Sequence, residues 1–191
     1  MNMNTRIIRL GGAGWLLAAV FLAAPAGAQP GNLVTNLITF DDLSDLTTIP
    51  SGYGQLEWSG LQTITAIGDG YSAGVISHPN AADNPYGYDA TISSGAPFNL
   101  VSAYLTSGAV PTMSLEVLGL AGTNLLYDQT FELNYSNATL VDFNYTGVTQ
   151  VQFQGSIGGP FVMDNLTVSS SVFTNSPPPP PPLLPTNAVA A

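Results

Sequence analysis

The sequence predicts an all-β fold, an antiparallel β-sandwich of the jelly-roll class, and three observations carry that expectation. Apolar and polar residues alternate with a period of two in one segment after another. No window of helical length sustains an apolar stripe of period 3.6. Gly, Pro, Asn and Asp punctuate the alternating segments throughout. The first segment runs from Val34 to Phe40, and Pro50-Ser51-Gly52 separates it from the second, Gln62 to Ile67. Gly68-Asp69-Gly70 and Asn84-Pro85 lead to Ala90–Ser93 and Phe98–Thr106. Met113, Leu115 and Val117 then face one side of a strand whose other side carries Ser114 and Glu116, since successive Cβ atoms point to opposite faces. Gly119 and Ala121-Gly122 precede Asn124–Leu133. Thr139–Asn144 ends at Thr146-Gly147, and Val151 and Phe153 alternate with Gln150, Gln152 and Gln154. Gly158-Gly159-Pro160 introduces the last segment, Phe161–Val168. Eight to ten short strands in such a rhythm suit a sandwich or jelly roll.

The two ends read differently. Residues 1–28 have the layout of an export signal: Arg6 and Arg9, an apolar stretch from Trp15 to Ala24, then Ala26-Gly27-Ala28 before Gln29. That stretch is short and broken by Pro25 and Gly27, so cleavage is expected rather than a membrane span, and the mature protein is expected outside the cell. Residues 171–191 contain six consecutive prolines, Pro177 to Pro182, which favour a stiff polyproline II spacer, a stalk or linker. Residues 33–170 between these ends are enough for one well-buried domain.

Charge narrows the chemistry further. Both basic residues lie in the leader, so residues 29–191 carry all 12 carboxylates and neither Lys nor Arg. Phosphate clamps, Lys Schiff bases and nucleic-acid grooves all need such cations, so nucleic acid is excluded as a partner. With no Cys, disulfides and thiolate metal sites are excluded as well. Charged residues make up 7% of the chain, against about 25% in an average protein, which leaves Ser, Thr, Asn and Gln to form most of the polar surface.

Five stretches go beyond pattern: Thr39-Phe40-Asp41-Asp42-Leu43; Ile49-Pro50-Ser51-Gly52-Tyr53 through Leu56-Glu57-Trp58; Pro97-Phe98 through Ser102-Ala103-Tyr104-Leu105-Thr106; Leu126-Tyr127-Asp128-Gln129-Thr130; and Phe161-Val162-Met163-Asp164-Asn165-Leu166-Thr167-Val168. In this order they resemble a family of secreted fungal and bacterial jelly-roll domains with motifs like FDDL, IPxGYxxLxW, PFxFxSAYLT and FxMDNLTV. That family is similar in fold to carbohydrate-binding, galactose-binding-like modules. The resemblance spans residues 37 to 168 and implies a jelly roll with a sugar as the class of ligand. The chain departs from the pattern in Gly68–Tyr88, rich in Asp, Asn, Pro and Gly, and at Ala109-Val110-Pro111.

In jelly rolls of this kind the first and last strands commonly lie together, which would gather Asp41, Asp42 and Asp164. Without basic partners, a hard divalent cation is their natural counter-charge. Ca²⁺ takes about six to eight oxygens, and the resemblance implies a structural calcium site with Asp41, Asp42 and Asp164 as ligands and Asn165 as a further candidate. The open alternative is that one Asp accepts backbone N–H groups at a bulge while the others are solvated. For sugar binding the candidates are Tyr71, Tyr86 and Tyr88 in the Gly-rich loops and Trp58, the one Trp outside the leader, which also suits a core position.

Catalysis is the weaker reading. Paired carboxylates suffice for a glycoside hydrolase, and Glu57, Asp69, Asp83 and Asp89 are the available pool. Asp beside Gly, Asn or Pro usually forms turns, however. His78, the sole histidine, has neither a Gly-x-Ser-x-Gly elbow nor other His or Cys to build a zinc site with. Asn134, Asn137, Asn144 and Asn165 begin Asn-x-Ser/Thr sequons. The expectation is a secreted, acidic, non-catalytic binding module for a neutral glycan or cell-wall polysaccharide, without membrane insertion once the leader is cleaved. The alternatives are a cell-surface structural or interaction protein, a secreted effector, and a small glycoside hydrolase.

Overall fold

A computed structural model describes residues 32–155 and 159–171. The leader read over residues 1–28, the proline run and Gly158 lie outside the described residues. Nine strands are present among the described residues: β1 (Val34–Ile38), β2 (Glu57–Ser59), β3 (Gln62–Thr65), β4 (Asn80–Asp83), β5 (Ala90–Ser107), β6 (Thr112–Ala121), β7 (Asn124–Asn134), β8 (Thr139–Gly155) and β9 (Phe161–Ser170). A short helix, α1 (Asp69–Gly74), lies between β3 and β4. Every pairing is antiparallel, in the order β3-β4-β9-β5-β8-β6-β7, with β1 added to β9 and β2 to β5. The fold is an antiparallel β-sandwich, as the alternation predicts.

Two strands make the sandwich by serving both of its layers. β5 and β8 are 18 and 17 residues long, and each was expected as two segments. Ala90–Ser93 pairs with Gln150–Phe153, and the register then breaks between Ser93 and Phe98, across Gly95 and Pro97, before pairing resumes toward Thr139. The near half of β8 pairs with β6, which pairs with β7; the far half of β5 pairs with β9. Gly147 (φ +70°) and Asn144 (φ +53°) bend β8 at the same level, so residues that read as turns are bends within a continuous ladder.

The layers meet through aromatic rings. Phe153 of the near half packs 5.5 Å from Phe161 of β9 and 6.5 Å from Phe143, and Tyr145 donates its hydroxyl hydrogen to the Val117 carbonyl at 2.9 Å. Phe40, Phe98, Phe153 and Phe161 are fully buried, each contributing about 1.5–3 kcal/mol by leaving water.

Residues 84–89 lead from β4 to β5, and buried Asn84 ties this crossing to the start of β9. Its Oδ1 accepts the Phe161 N–H at 2.6 Å and its Nδ2 donates to the Tyr88 carbonyl at 2.6 Å. At the outer face of β9, α1 lies so close that a Cβ on Gly70 would meet the Ser107 carbonyl oxygen at 1.6 Å, and one on Gly74 would meet Val162 at 2.6 Å. Only glycine permits that approach. It sets Tyr71 of α1 beside Ile64, Val75, Ala81 and Val162, a small apolar cluster outside the main core.

Candidate functional site

β9 is shared along one edge by two strands that do not meet. β1 pairs with it down to Ile38↔Leu166, and β4 pairs with it from Ala82↔Met163. Asp164 and Asn165 fall in the gap. Across the other edge the register moves from Ser102↔Thr167 to Tyr104↔Asp164, so β9 holds one residue more than β5 there, and Asn165 sits at this bulge with φ +51°. Asp164 is fully buried. One of its oxygens accepts the N–H of Ile76 at 2.6 Å and of Ser77 at 2.8 Å; the other accepts its neighbour Asn165 N–H at 2.6 Å and the Ser77 hydroxyl at 3.1 Å. Burial pushes the carboxyl up to about 6, while these hydrogen bonds pull the other way.

The other expected calcium ligands lie nearby with different engagements. Asp41 accepts the Asn80 N–H at 3.1 Å, and Asp42 accepts the Tyr53 hydroxyl. Asn80, which the sequence did not single out, donates to the Leu43 carbonyl, and its own buried amide oxygen has no partner. The amide oxygen of Asn165 is likewise buried without a partner. Among the described residues no group of three or more His, Asp or Glu is gathered around a common point.

Of the expected sugar contacts, the structure brings three into one neighbourhood. A cleft of about 530 Å³ opens between β3, β4 and the 84–89 crossing, lined by Gln62, Tyr71, Asp83, Tyr86 and the apolar side chains of Leu46, Ile64 and Ile67. Tyr86 is 83% exposed and Tyr88 70%, with ring centroids 6.1 Å apart. Tyr86 also has φ +64°, a left-handed backbone that is uncommon for a bulky side chain. On the far side of Tyr88, Asp89 belongs to a second, polar hollow of about 370 Å³ with Ser114, Glu116, Thr130 and Gln154. The crossing residues thus stand between the two hollows. Trp58 is elsewhere, in an aromatic trio with Phe40 at 5.7 Å and Tyr53 at 6.3 Å, its indole N–H bonded to the Tyr53 carbonyl at 2.8 Å.

Asp83, weighed above only as an acid or a turn former, lines the larger cleft. It is 3% exposed, its Oδ1 has no partner, and Gln62 hydrogen-bonds its carboxylate. Burial pushes the carboxyl up to about 6; the Gln62 bond lowers it and the charge of Asp45 raises it further. Burial likewise raises the Tyr71 phenol, with the Asp83 charge adding to it. The remaining catalytic candidates are scattered. Glu57 accepts the Ser51 hydroxyl, Asp69 opens α1, and Asp89 belongs to the other hollow.

No family model matches the chain, and no curated protein matches it. Similar solved structures include the CBM22-1 and GH10 modules of endo-1,4-β-D-xylanase 10B from Clostridium thermocellum with xylohexaose, at TM-score 0.38 and 12% identity, over 60% of this chain and 26% of that one. A family two carbohydrate esterase from Cellvibrio japonicus matches at TM-score 0.36 and 14% identity, over 81% of this chain and 37% of that one. This chain therefore spans well under half of either. A mutant of the family 29 carbohydrate-binding module CBM29-2 matches at TM-score 0.38 and 13% identity, over 75% of this chain and 99% of that one.

The two buried aspartates predict unequal responses to the same substitution. In Asp164→Asn the new amide N–H₂ must face backbone N–H groups whichever way it turns, and unfolding free energy should fall by about 2–3 kcal/mol. In Asp83→Asn no donor is opposed, and below about pH 4, where the carboxyl is protonated in both folded and unfolded chains, the change should stay within about 0.5 kcal/mol. Both folded carboxyls titrate near 6 rather than at 3.8. Each therefore binds its proton more tightly in the folded state, and its contribution to stability is full below about 4 and lost as pH rises through about 6. Urea unfolding across that window should show wild type losing stability as pH rises and Asp83→Asn losing less. Equal destabilisation by the two substitutions would contradict these assignments.

Proposed function

We propose that this chain is a secreted, non-catalytic binding module whose ligand is a glycan without acidic groups, held at the 84–89 crossing. The observation that carries the reading is Tyr86. A large aromatic ring stands in solvent on a backbone conformation that costs an L-residue about 1–2 kcal/mol relative to the right-handed form, beside a cleft of ligand size. The fold leaves that ring in water, and a flat apolar face rimmed by hydrogen-bonding groups suits the C–H face and hydroxyls of a sugar ring. Tyr88 extends the platform, Tyr71 walls the cleft, and Gln62 and Asp83 offer hydrogen-bond partners. The net charge of residues 29–191 repels sulfated and uronic acid polymers. Among the described residues, Asp83 is the single carboxyl lining the larger cleft, and glycoside hydrolysis needs two flanking one bond, which supports binding without catalysis beside Tyr86; Asp89 meets Glu116 only in the other hollow.

The proposal includes a structural calcium ion at the gap beside β9. Asp164 fits this role less well than expected, because both its oxygens already accept N–H and O–H groups. Asp41 and the bare amide oxygens of Asn165 and Asn80 are the donors that suit a hard cation. Asp42 is engaged by Tyr53.

Two measurements check this. On a glycan array, Tyr86→Ala should lose at least about tenfold in affinity, about 1.4 kcal/mol, while Tyr86→Gly should lose binding and melt no lower than wild type. Binding untouched by both variants would place the ligand elsewhere; no glycan bound at all would favour an interaction protein, and released reducing sugar a hydrolase. Separately, excess chelator should lower the melting temperature and added Ca²⁺ restore it; melts that move with neither would remove the ion.

A further inference from the structure

Asp83 lines the cleft, and its Oδ1 is buried without a hydrogen-bond partner. A buried acceptor without a donor costs about 1–3 kcal/mol, and more when charged. A Lys or Arg would meet that cost, and residues 29–191 contain none. The groups facing Asp83 add no positive charge. Asp45, from the connection after β1, is a second acid held by the Thr65 N–H at 2.9 Å; Tyr71 from α1 is a phenol; Gln62 from β3 is neutral. An anionic floor beneath aromatic walls is a setting for an organic cation, which gains from the carboxylate below and from ring faces beside it.

We propose that the sugar unit held over Asp83 carries a protonated amine, so that the ligand is a glycan containing aminohexose units, its ammonium against Asp83 and its ring against Tyr86. This rests on the glycan reading of the same cleft and narrows it: whatever the rest of the polymer, one position is cationic. A cleft of about 530 Å³ beside two exposed tyrosines accommodates a ring, not merely the ammonium tip of a lysine side chain.

The test is calorimetric titration at about 0.15 M salt, where charges beyond about 8 Å are largely screened, with short oligomers of glucosamine, of N-acetylglucosamine and of lysine. Wild type should prefer the free amine over its acetylated counterpart by about tenfold. Asp83→Asn should abolish that preference. Asp128→Asn, which removes the same charge from exposed β7, should keep it, and Tyr86→Ala should weaken both sugars. The proposal is overturned if the acetylated oligomer binds as well as the free amine, if Asp128→Asn erodes the preference as much as Asp83→Asn, or if oligolysine binds with the same dependence on Asp83. Should Asp83→Asn fail to fold, the acetylation comparison in wild type and Asp128→Asn decides. Neutral glycans bound without preference for an amine defeat only this proposal; no glycan bound defeats the glycan reading with it.

Discussion

Every negative charge from residue 29 onward must be accommodated without a Lys or an Arg. Exposed carboxylates manage this through water, but a buried one has only hydrogen-bond donors available. Asp164 shows the complete solution. The 76–77 segment turns two backbone N–H groups and a hydroxyl toward it, and the β9 bulge supplies a third N–H. The carboxylate thereby fastens the segment before β4 to the centre of the sheet. Asp83 shows the incomplete one, with a single glutamine for a partner and an open cleft above.

The contrast follows from where the two residues sit. Asp164 lies at mid-strand, covered by the chain that precedes β4, so its shell is closed by the fold. Asp83 lies at the end of β4, where the chain leaves one layer for the other and the sheet can no longer cover it. The same crossing carries Tyr86 and Tyr88 outward, and Asn84 holds it in place from beneath. A rigid buried amide, a strained exposed ring and an unsatisfied acid within four residues form a recognition surface built on a fixed scaffold.

Much of the fold was legible because alternation reports one-sided burial directly, as in Met113, Leu115 and Val117. β4 was not: Asn80, Ala81, Ala82 and Asp83 are all buried, with one face on the core and the other on the α1 cluster, so no alternation marks the strand, and its composition imitates a loop. β5 and β8 were divided in two because Pro97 and Gly147 signal turns, whereas here they bend strands that pass between layers. The loop tyrosines were legible as exposed aromatics. Asn80 and Asn84 were not, because what they bond depends on residues such as Leu43 and Phe161 brought close only by the finished sheet. Trp58 packs half-buried against the core beside Phe40 and Tyr53, away from the loop tyrosines with which it was grouped.

The central claim is that Asp83 is the one buried carboxylate the fold leaves for a ligand to complete. Carboxyl-carbon NMR across the acidic range, without and with an amino-sugar oligomer, tests it most directly. The account predicts that Asp83 titrates near 6 alone and shifts downward when the oligomer is bound, while Asp164 does not move. An Asp83 that titrates with the exposed aspartates, or that ignores the oligomer, would contradict it.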